Sequence, residues 1–367
     1  MAISALPRPD LRSERLVEVV AGVRPCRRGG LRIESVRETA GPLRKTVVHN
    51  YGQGGCGYTV GLGCAEAAAD LVDAELGLET PRERGHGRTL EGATARGLGR
   101  SNTASVAVLG AGIVGLYTAR ELLARGHRVA IYADRVIAGT ASAIAGGLWL
   151  PTGLNFGDTP DRVEWFLGIL RRSRTLLDEL DPARYAVERL PVYEPEWADD
   201  PERYFNNGTI GPRRPIGAIP IEGLEARGLM YEAPFIHTPV HARAILDDIR
   251  TAGGSIVERR FDSLREVLEL DERLIVNCTA LGSRELFGDD GLYGARGVLA
   301  KFEPQPLGYI WHDNYRYIFP RSDALIVGGS FEEGIEDADA GPEAAEEIIR
   351  SQRETFGLDP GSGGLPG

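Results

Sequence analysis

Ser105-Val-Ala-Val-Leu-Gly-Ala-Gly-Ile-Val-Gly115 is the stretch on which the fold turns. A short apolar run ends at Leu109, and Gly110, Gly112 and Gly115 follow in the spacing of a dinucleotide-binding turn. Gly110 permits the tight turn, Gly112 lets backbone approach a pyrophosphate, and Gly115 lets the helix from Val114 to about Arg125 pack closely on a sheet. That helix would present the unpaired amides around Ala111, Ile113 and Val114, and the positive end of its dipole, to phosphate oxygens. A second strand, Val129-Ala-Ile-Tyr-Ala133, ends at Asp134, whose carboxylate can accept ribose hydroxyls. The succession of strand, turn, helix, strand and acid gives the motif its weight. It does not choose between a nicotinamide and a flavin.

Composition bounds what surrounds this motif. With 367 residues, 42% apolar and 26% charged, the chain can bury a large core, and two closely connected domains are expected. A formal net charge of -11 argues against a nucleic-acid surface, which relies on positive potential. Small-molecule chemistry is the better fit. Cys26, Cys56, Cys64 and Cys278 are widely spaced without a Cys-x-x-Cys pair, so neither a metal site nor a disulfide framework is expected. No apolar run approaches a membrane span, the N-terminus lacks a signal-peptide pattern, and Gly361-Ser-Gly-Gly-Leu-Pro-Gly367 is not a peroxisomal tripeptide. A cytoplasmic protein with no membrane partner is expected.

Upstream lies a second glycine-rich loop, His49-Asn-Tyr-Gly-Gln-Gly-Gly-Cys-Gly-Tyr-Thr59. Gly52, Gly54, Gly55 and Gly57 leave its backbone unshielded, and Thr59 reads as the N-cap of an alanine-rich helix reaching about Leu76. By itself this is either a plain capped turn or a helix N-terminus aimed at a group that accumulates negative charge. Residues 1 to about 76 read as a compact block, and 77–103, polar and glycine-rich, as a surface linker. From about 150 to 240 the chain reads as Pro- and Gly-rich segments with short strands. Pro239 to about Gly253 has helical spacing, and Leu274-Ile-Val-Asn277 is a buried strand. Gly297 to Gly334 alternates like an antiparallel sheet, and 356–367 reads as a flexible tail. No internal repeat is evident.

Several segments resemble, in order, the signatures of the D-amino acid oxidase and D-aspartate oxidase family of FAD-dependent oxidoreductases. They are Val106-Ala-Val-Leu-Gly-Ala-Gly-Ile-Val-Gly-Leu116, Ile131-Tyr-Ala-Asp-Arg135, Ala145-Gly-Gly-Leu-Trp-Leu-Pro151, Leu274–Thr279, Tyr317-Ile-Phe-Pro320 and Val327-Gly-Gly329. Gly22-Val-Arg-Pro25 and His49-Asn-Tyr-Gly-Gln-Gly-Gly55 resemble that family's last two signatures, yet here they precede all the others. The simplest account is a circular permutation, with 1–76 completing both domains after about residue 355. The resemblance thus implies a mixed α/β (α+β) fold in permuted order. A Rossmann-like FAD-binding core over 104–150 is followed by an antiparallel-sheet substrate domain over 151–355, interleaved with FAD-domain elements at about 239–283. Permutation leaves contacts in place, so Met1 and Gly367 should lie close together.

The resemblance implies a noncovalently held FAD and oxidative deamination of a D-amino acid by oxygen, giving a 2-oxo acid, ammonia and hydrogen peroxide. Arg24 would bind the substrate carboxylate through its two-pronged guanidinium, Tyr317 would add a donor, and the Gly55 carbonyl would accept from the amine. Hydride transfer from a neutral amine requires no acid or base from a side chain, so catalysis would rest on alignment. FAD contacts are implied for Gly54 to Thr59 (Gly54, Gly55, Cys56, Gly57, Tyr58, Thr59), for Gly110 to Gly115 (Gly110, Ala111, Gly112, Ile113, Val114, Gly115), and for Asp134 and Arg135. Thr140, Ala141, Ser142, Gly146, Gly147, Leu148, Arg259, Phe261 and Thr279 complete that set. His237 and His312 are set aside as structural or solvent-facing. The family usually has an aromatic residue where Cys56 stands, and a lid tyrosine where Asp313 stands. Tyr315 would then cover the pocket, and Arg316 should point away from the face of Tyr317. These departures admit a pathway-specific amine or imino acid as substrate, D-aspartate as a narrower one, or a flavin-binding module without activity. A nicotinamide dehydrogenase is the reading from outside the family, and a homodimer is compatible with all of them.

Overall fold

The structure, a computed structural model, describes residues 5–78, 103–152, 154–196 and 207–358. Two sheets organise it. The first runs, in spatial order, β2 (Arg32–Ala40), β3 (Leu43–Tyr51), β10 (Leu274–Asn277), β4 (Ser105–Ala111), β5 (Arg128–Val136) and β9 (Ser255–Glu258). Four of its five pairings, β3 with β10, β10 with β4, β4 with β5 and β5 with β9, are parallel, and β2 pairs antiparallel with β3. Val106, Ala107, Val108 and Leu109 are buried, as expected of a parallel strand covered on both faces. The strand holding Asp134 continues to Val136 instead of stopping at the acid.

The second sheet runs β1 (Leu16–Arg27), β11 (Leu292–Phe302), β14 (Leu325–Gly328), β13 (Arg316–Pro320), β12 (Ile310–Asp313), β6 (Val187–Pro195), β8 (Gly228–Ile236) and β7 (Arg214–Ile216), with β15 (Glu332–Glu333) also pairing β11. Its strands alternate between two faces. Ala21, Val298, Ile318 and Val327 join a core with Trp311, Ile348 and Phe356, while Arg24, Leu299, Tyr317 and Phe319 line a cavity.

Among the described residues the α-helices are α1 (Gly57–Glu75), α2 (Ile113–Ala124), α3 (Ala141–Ile144), α4 (Pro160–Asp178), α5 (Thr238–Thr251), α6 (Leu264–Leu268), α7 (Gly282–Phe287) and α8 (Glu346–Thr355). Helix α1 is buried nearly all round, packing against both α2 and α4.

The first 76 residues do not form the compact block that was expected of them. β1 is zipped antiparallel onto β11 in the second sheet, whereas β2, β3 and α1 belong to the first. The strands of this segment that pair outside it do so with residues more than two hundred positions away, a relation no local pattern reveals. Between 150 and 240 the sequence reading missed α4, a 19-residue helix. The expected tail also begins too early, because Phe356 is fully buried against Trp311, ring centroids 5.6 Å apart. Most of the expected linker, both chain ends and the rest of the tail lie outside the described residues. Among the described residues no helix is long and apolar enough to cross a membrane.

Candidate active site

Where β4 ends, Gly110 adopts φ +95°, a conformation open mainly to glycine, and the chain turns into α2. A Cβ at Gly115 would overlap the Gly110 carbonyl, with its carbon 3.0 Å away, so the helix sits this close only because position 115 has no side chain. The Ile113 amide donates to Ser142 Oγ at 3.0 Å, tying α3 to the N-terminus of α2. At the far end of β5, Asp134 pairs with Arg135 at 3.4 Å, and Phe261 sits between Tyr132, at 6.0 Å, and the Arg259 guanidinium, at 4.6 Å. Thr279 is held from below: its amide and hydroxyl both donate to Asn277 Oδ1, at 3.0 and 2.7 Å. Asn277 Nδ2 in turn reaches His49 Nδ1 at 3.1 Å. Burial pushes His49 down to about 4, so at neutral pH the uncharged ring can accept that bond.

The glycine loop enters from the opposite side. Gly54 N donates to the Pro25 carbonyl at 3.2 Å, which fixes the loop to β1. Helix α1 starts earlier than the sequence suggested. The Cys56 carbonyl accepts from Thr59 and Val60 amides, making Cys56 the N-cap, and the Thr59 hydroxyl turns instead to the Leu150 carbonyl at 3.4 Å. The Cys56 thiol donates to the Thr152 carbonyl at 2.9 Å, and burial raises its pKa to about 12, so it stays a neutral thiol.

The second sheet supplies the third wall. Arg24 Nη1 donates to the Ser330 carbonyl at 2.9 Å, and the guanidinium lies 5.5 Å over the Phe331 ring. It can lie flat across β11 because position 297 is glycine: a Cβ there would come within 2.6 Å of Arg24 Cζ. Tyr317 does the same across β14, where a Cβ at Gly328 would come within 2.6 Å of its hydroxyl. Two glycines on neighbouring strands therefore form a trough in which a guanidinium and a phenol lean together. Tyr317 stacks on Phe319 at 4.1 Å and 11°, and lies within hydrogen-bonding reach of Arg24. Burial raises the Tyr317 pKa, with the Arg24 charge opposing, so its hydroxyl remains a donor.

All the residues expected to bind substrate or FAD, including Arg24, Gly55 and Tyr317, line one cavity of about 1730 Å³ at the seam between the two sheets. His312, set aside earlier, is also in its wall. It is buried, lies cross-strand from Tyr317, and its Nδ1 meets Glu194 Oε1 at 2.9 Å. His237 is not in the wall; it binds Glu188 and the Ser322 amide. The sequence reading also passed over Gly297, Ser330 and Phe331, whose relevance depends on strand register. β12 and β13 are joined by the two-residue turn Asn314-Tyr315, with Asn314 at φ +57°, and both turn residues line the cavity. Tyr315 there stands 5.3 Å from Phe331, and Arg316 points outward to Ser351.

The cavity fits an FAD. Two helix N-termini, of α1 and α2, face it, which suits a pyrophosphate and an electron-rich ring system. The glycines at the turn keep side chains away from the backbone that would carry the phosphates, and an aromatic and cationic corner lies beyond Asp134. Among the described residues no cluster could hold a metal ion, and the four cysteines are free and buried.

Comparison with known proteins agrees. The chain is 29% identical over 254 residues to the D-amino-acid oxidase of Streptomyces coelicolor, covering 67% of this chain and 75% of that one. It is 26% identical over 266 residues to human D-aspartate oxidase, covering 68% and 74%. The glycine oxidase of Geobacillus kaustophilus shares the fold, with a TM-score of 0.52 at 20% identity over 69% of this chain and 78% of that one. The DAO family model, described as FAD dependent oxidoreductase, matches residues 105–364, leaving the segment with Arg24 and the glycine loop outside the match. The chain belongs to this DAO family of FAD-dependent oxidoreductases.

Proposed function

We propose that the protein oxidatively deaminates a D-amino acid: substrate, oxygen and water become a 2-oxo acid, ammonia and hydrogen peroxide. The observation that carries this reading is the meeting of Arg24 and Tyr317 in the glycine trough, opposite Gly55 and the first turn of α1. The D configuration is supported by the relatives that match at 29% identity. Arg24 takes the substrate carboxylate as a two-pronged, permanently charged donor. Tyr317, kept protonated by burial, donates to the same carboxylate. The Gly55 carbonyl accepts from the amine; the loop it sits in is tied to the same strand as Arg24 through the Gly54–Pro25 bond. Together these contacts fix the α-carbon. When bound, FAD supplies the two-electron acceptor for the α-hydrogen as hydride. The residues named earlier around the Rossmann turn, Asp134, Thr279 and Arg259 are proposed to hold it.

We further read the chain as a circular permutant within its family. Support comes from the position of the family match and from the two described ends, which share one side of the second sheet: Arg353 donates to the Leu11 carbonyl at 3.0 and 2.7 Å.

The test is a visible spectrum followed anaerobically as D-amino acids and their L-counterparts are added. Loss of the flavin band near ~450 nm with D-isomers alone is expected. A flavin band that no amino acid bleaches would sink the substrate assignment.

A further inference from the structure

Arg24 has partners that the proposed substrate contacts leave unused. Its Nη1 is committed to the Ser330 carbonyl at 2.9 Å. Ser330 is itself pinned twice, because its Oγ accepts from the Val298 amide at 3.2 Å and its hydroxyl donates to Glu332 Oε1 at 2.7 Å. The other Glu332 oxygen takes Arg296 Nε at 2.9 Å and Nη2 at 2.5 Å, a chelated geometry. Arg296 and Glu332 are also cross-strand partners between β11 and β15, so the backbone ladder holds the pair in register. Glu332 is held below its usual carboxylate range by the Ser330 hydroxyl first, with Arg296 and the charge of Arg24 adding to it, while burial opposes. An acid this near to Arg24 competes with any incoming carboxylate unless something else neutralises it.

We propose that Ser330, Glu332 and Arg296 are a positioning set for Arg24: Ser330 fixes where the guanidinium lies, and Arg296 neutralises Glu332 so that the charge of Arg24 stays available to a substrate carboxylate. None of the three needs to touch the substrate. The proposal rests on Arg24 being the carboxylate-binding residue.

The experiment uses the FAD-loaded enzyme and two readouts: the Kd of propionate from its perturbation of the flavin spectrum, and KM against kcat with D-alanine. Arg296→Met should raise both Kd and KM about tenfold with kcat nearly unchanged, because the freed carboxylate then competes for Arg24. Adding Glu332→Gln to that variant should restore most of the loss, a rescue that a purely structural role for Arg296 does not produce. Ser330→Ala should weaken propionate binding while Ser330→Thr, which keeps the hydroxyl, does not. If Arg296→Met fails to fold, the Ser330 pair carries the test, and equal Kd values for its two members overturn the proposal. An Arg296→Met/Glu332→Gln double variant as impaired as the single one also overturns it. Wild-type enzyme that binds no carboxylate overturns the Arg24 assignment and this proposal together. Wild-type binding with unresponsive variants overturns the positioning set alone.

Discussion

Replacing Gly297 by alanine separates the position of Arg24 from its charge. The added Cβ would sit within 2.6 Å of Arg24 Cζ, so the guanidinium must leave the trough, yet it remains in the protein. Hydrogen bonds to charged groups are worth about 1.5–3 kcal/mol. Losing the aligned carboxylate contact should therefore raise KM, and the Kd of a simple carboxylate, by about 10- to 150-fold. Stability should move far less. The colliding atoms are the far end of a flexible side chain, and an alanine in a strand gains back roughly 0.5–1 kcal/mol of chain entropy relative to glycine. Flavin content should be unchanged, since the Rossmann turn belongs to the other sheet. The assay is peroxide release at varied D-amino acid concentration, with the ratio of flavin to protein absorbance and the melting temperature measured in parallel. An unaltered KM in a folded, flavin-loaded Gly297→Ala protein would refute the argument that the trough aims Arg24.

Direct removal makes the companion prediction: Arg24→Ala and, more mildly, Tyr317→Phe should weaken carboxylate binding while flavin stays bound, and loss of flavin with unchanged turnover per flavin would contradict it. Gly115→Ala drives a Cβ into the Gly110 backbone, which cannot yield as a side chain can, so the purified protein should lose most of its flavin; a full flavin complement would count against the phosphate-turn assignment. His241 is buried between the Tyr117 hydroxyl, at 2.7 Å, and the Tyr185 carbonyl, at 2.8 Å, and burial lowers its pKa from 6.5 to about 4. The native ring refuses a proton that the unfolded chain accepts, so its contribution is intact above pH 6.5 and falls as pH drops towards 4, by up to ~3 kcal/mol. Thermal melts at pH 7 and 5 should show a drop that His241→Gln reduces; an equal drop in both would rule His241 out. Finally, a protease site engineered between residues 86 and 98 should yield two fragments that stay together with flavin and activity, because β1 is laddered to β11 from Leu16 to Arg27 and α1 is buried. Separation of the fragments on a sizing column would show those contacts to be insufficient.

What could be read from the sequence was local. The strand, glycine turn and helix from Ser105 to Ala124 declare themselves within twenty residues because the turn makes local demands: Gly110 takes a φ of +95°, and Gly115 must clear the Gly110 carbonyl. Helix α4 was missed for an equally local reason. Pro160 and Gly168 look like breakers, but Pro160 occupies the first turn, where its absent amide costs nothing and Thr159 caps the helix by accepting from Arg162 at 3.3 Å. A Cβ added at Gly168 would meet nothing within 4 Å, so the position makes no packing demand that glycine fails to meet. Thr59 was misplaced as an N-cap because Cys56, a poor capping type, starts the helix through its backbone carbonyl alone. Gly297 and Gly328 were invisible as site residues. Their role exists only once register sets Leu299 opposite Gly328 and Gly328 opposite Tyr317, and register is a property of paired strands.

The resemblance singled out Arg24 and Tyr317, but only the two-sheet arrangement explains why residues so distant in sequence line one cavity. β1 brings Arg24 to the edge of the second sheet, and Gly30 to Leu31 lead directly into β2 on the edge of the first. The return through β3 ends at Tyr51, from which the glycine loop comes back to touch β1 at the Gly54–Pro25 bond. A single stretch of fewer than forty residues, from Arg24 to Thr59, thus crosses the seam, returns, and starts the helix that faces the cavity. The arginine proposed to bind substrate and the loop proposed to face the flavin are on the same piece of chain, and the Gly54–Pro25 backbone hydrogen bond ties them together. On the proposed reading of the chain as a permutant, moving that piece to the front of the sequence leaves its ladder with β11, its pairing with β10 and its packing on α2 and α4 in place, because none of these depends on where the chain is cut. Chain order is therefore free to vary where the contacts that define the site are not.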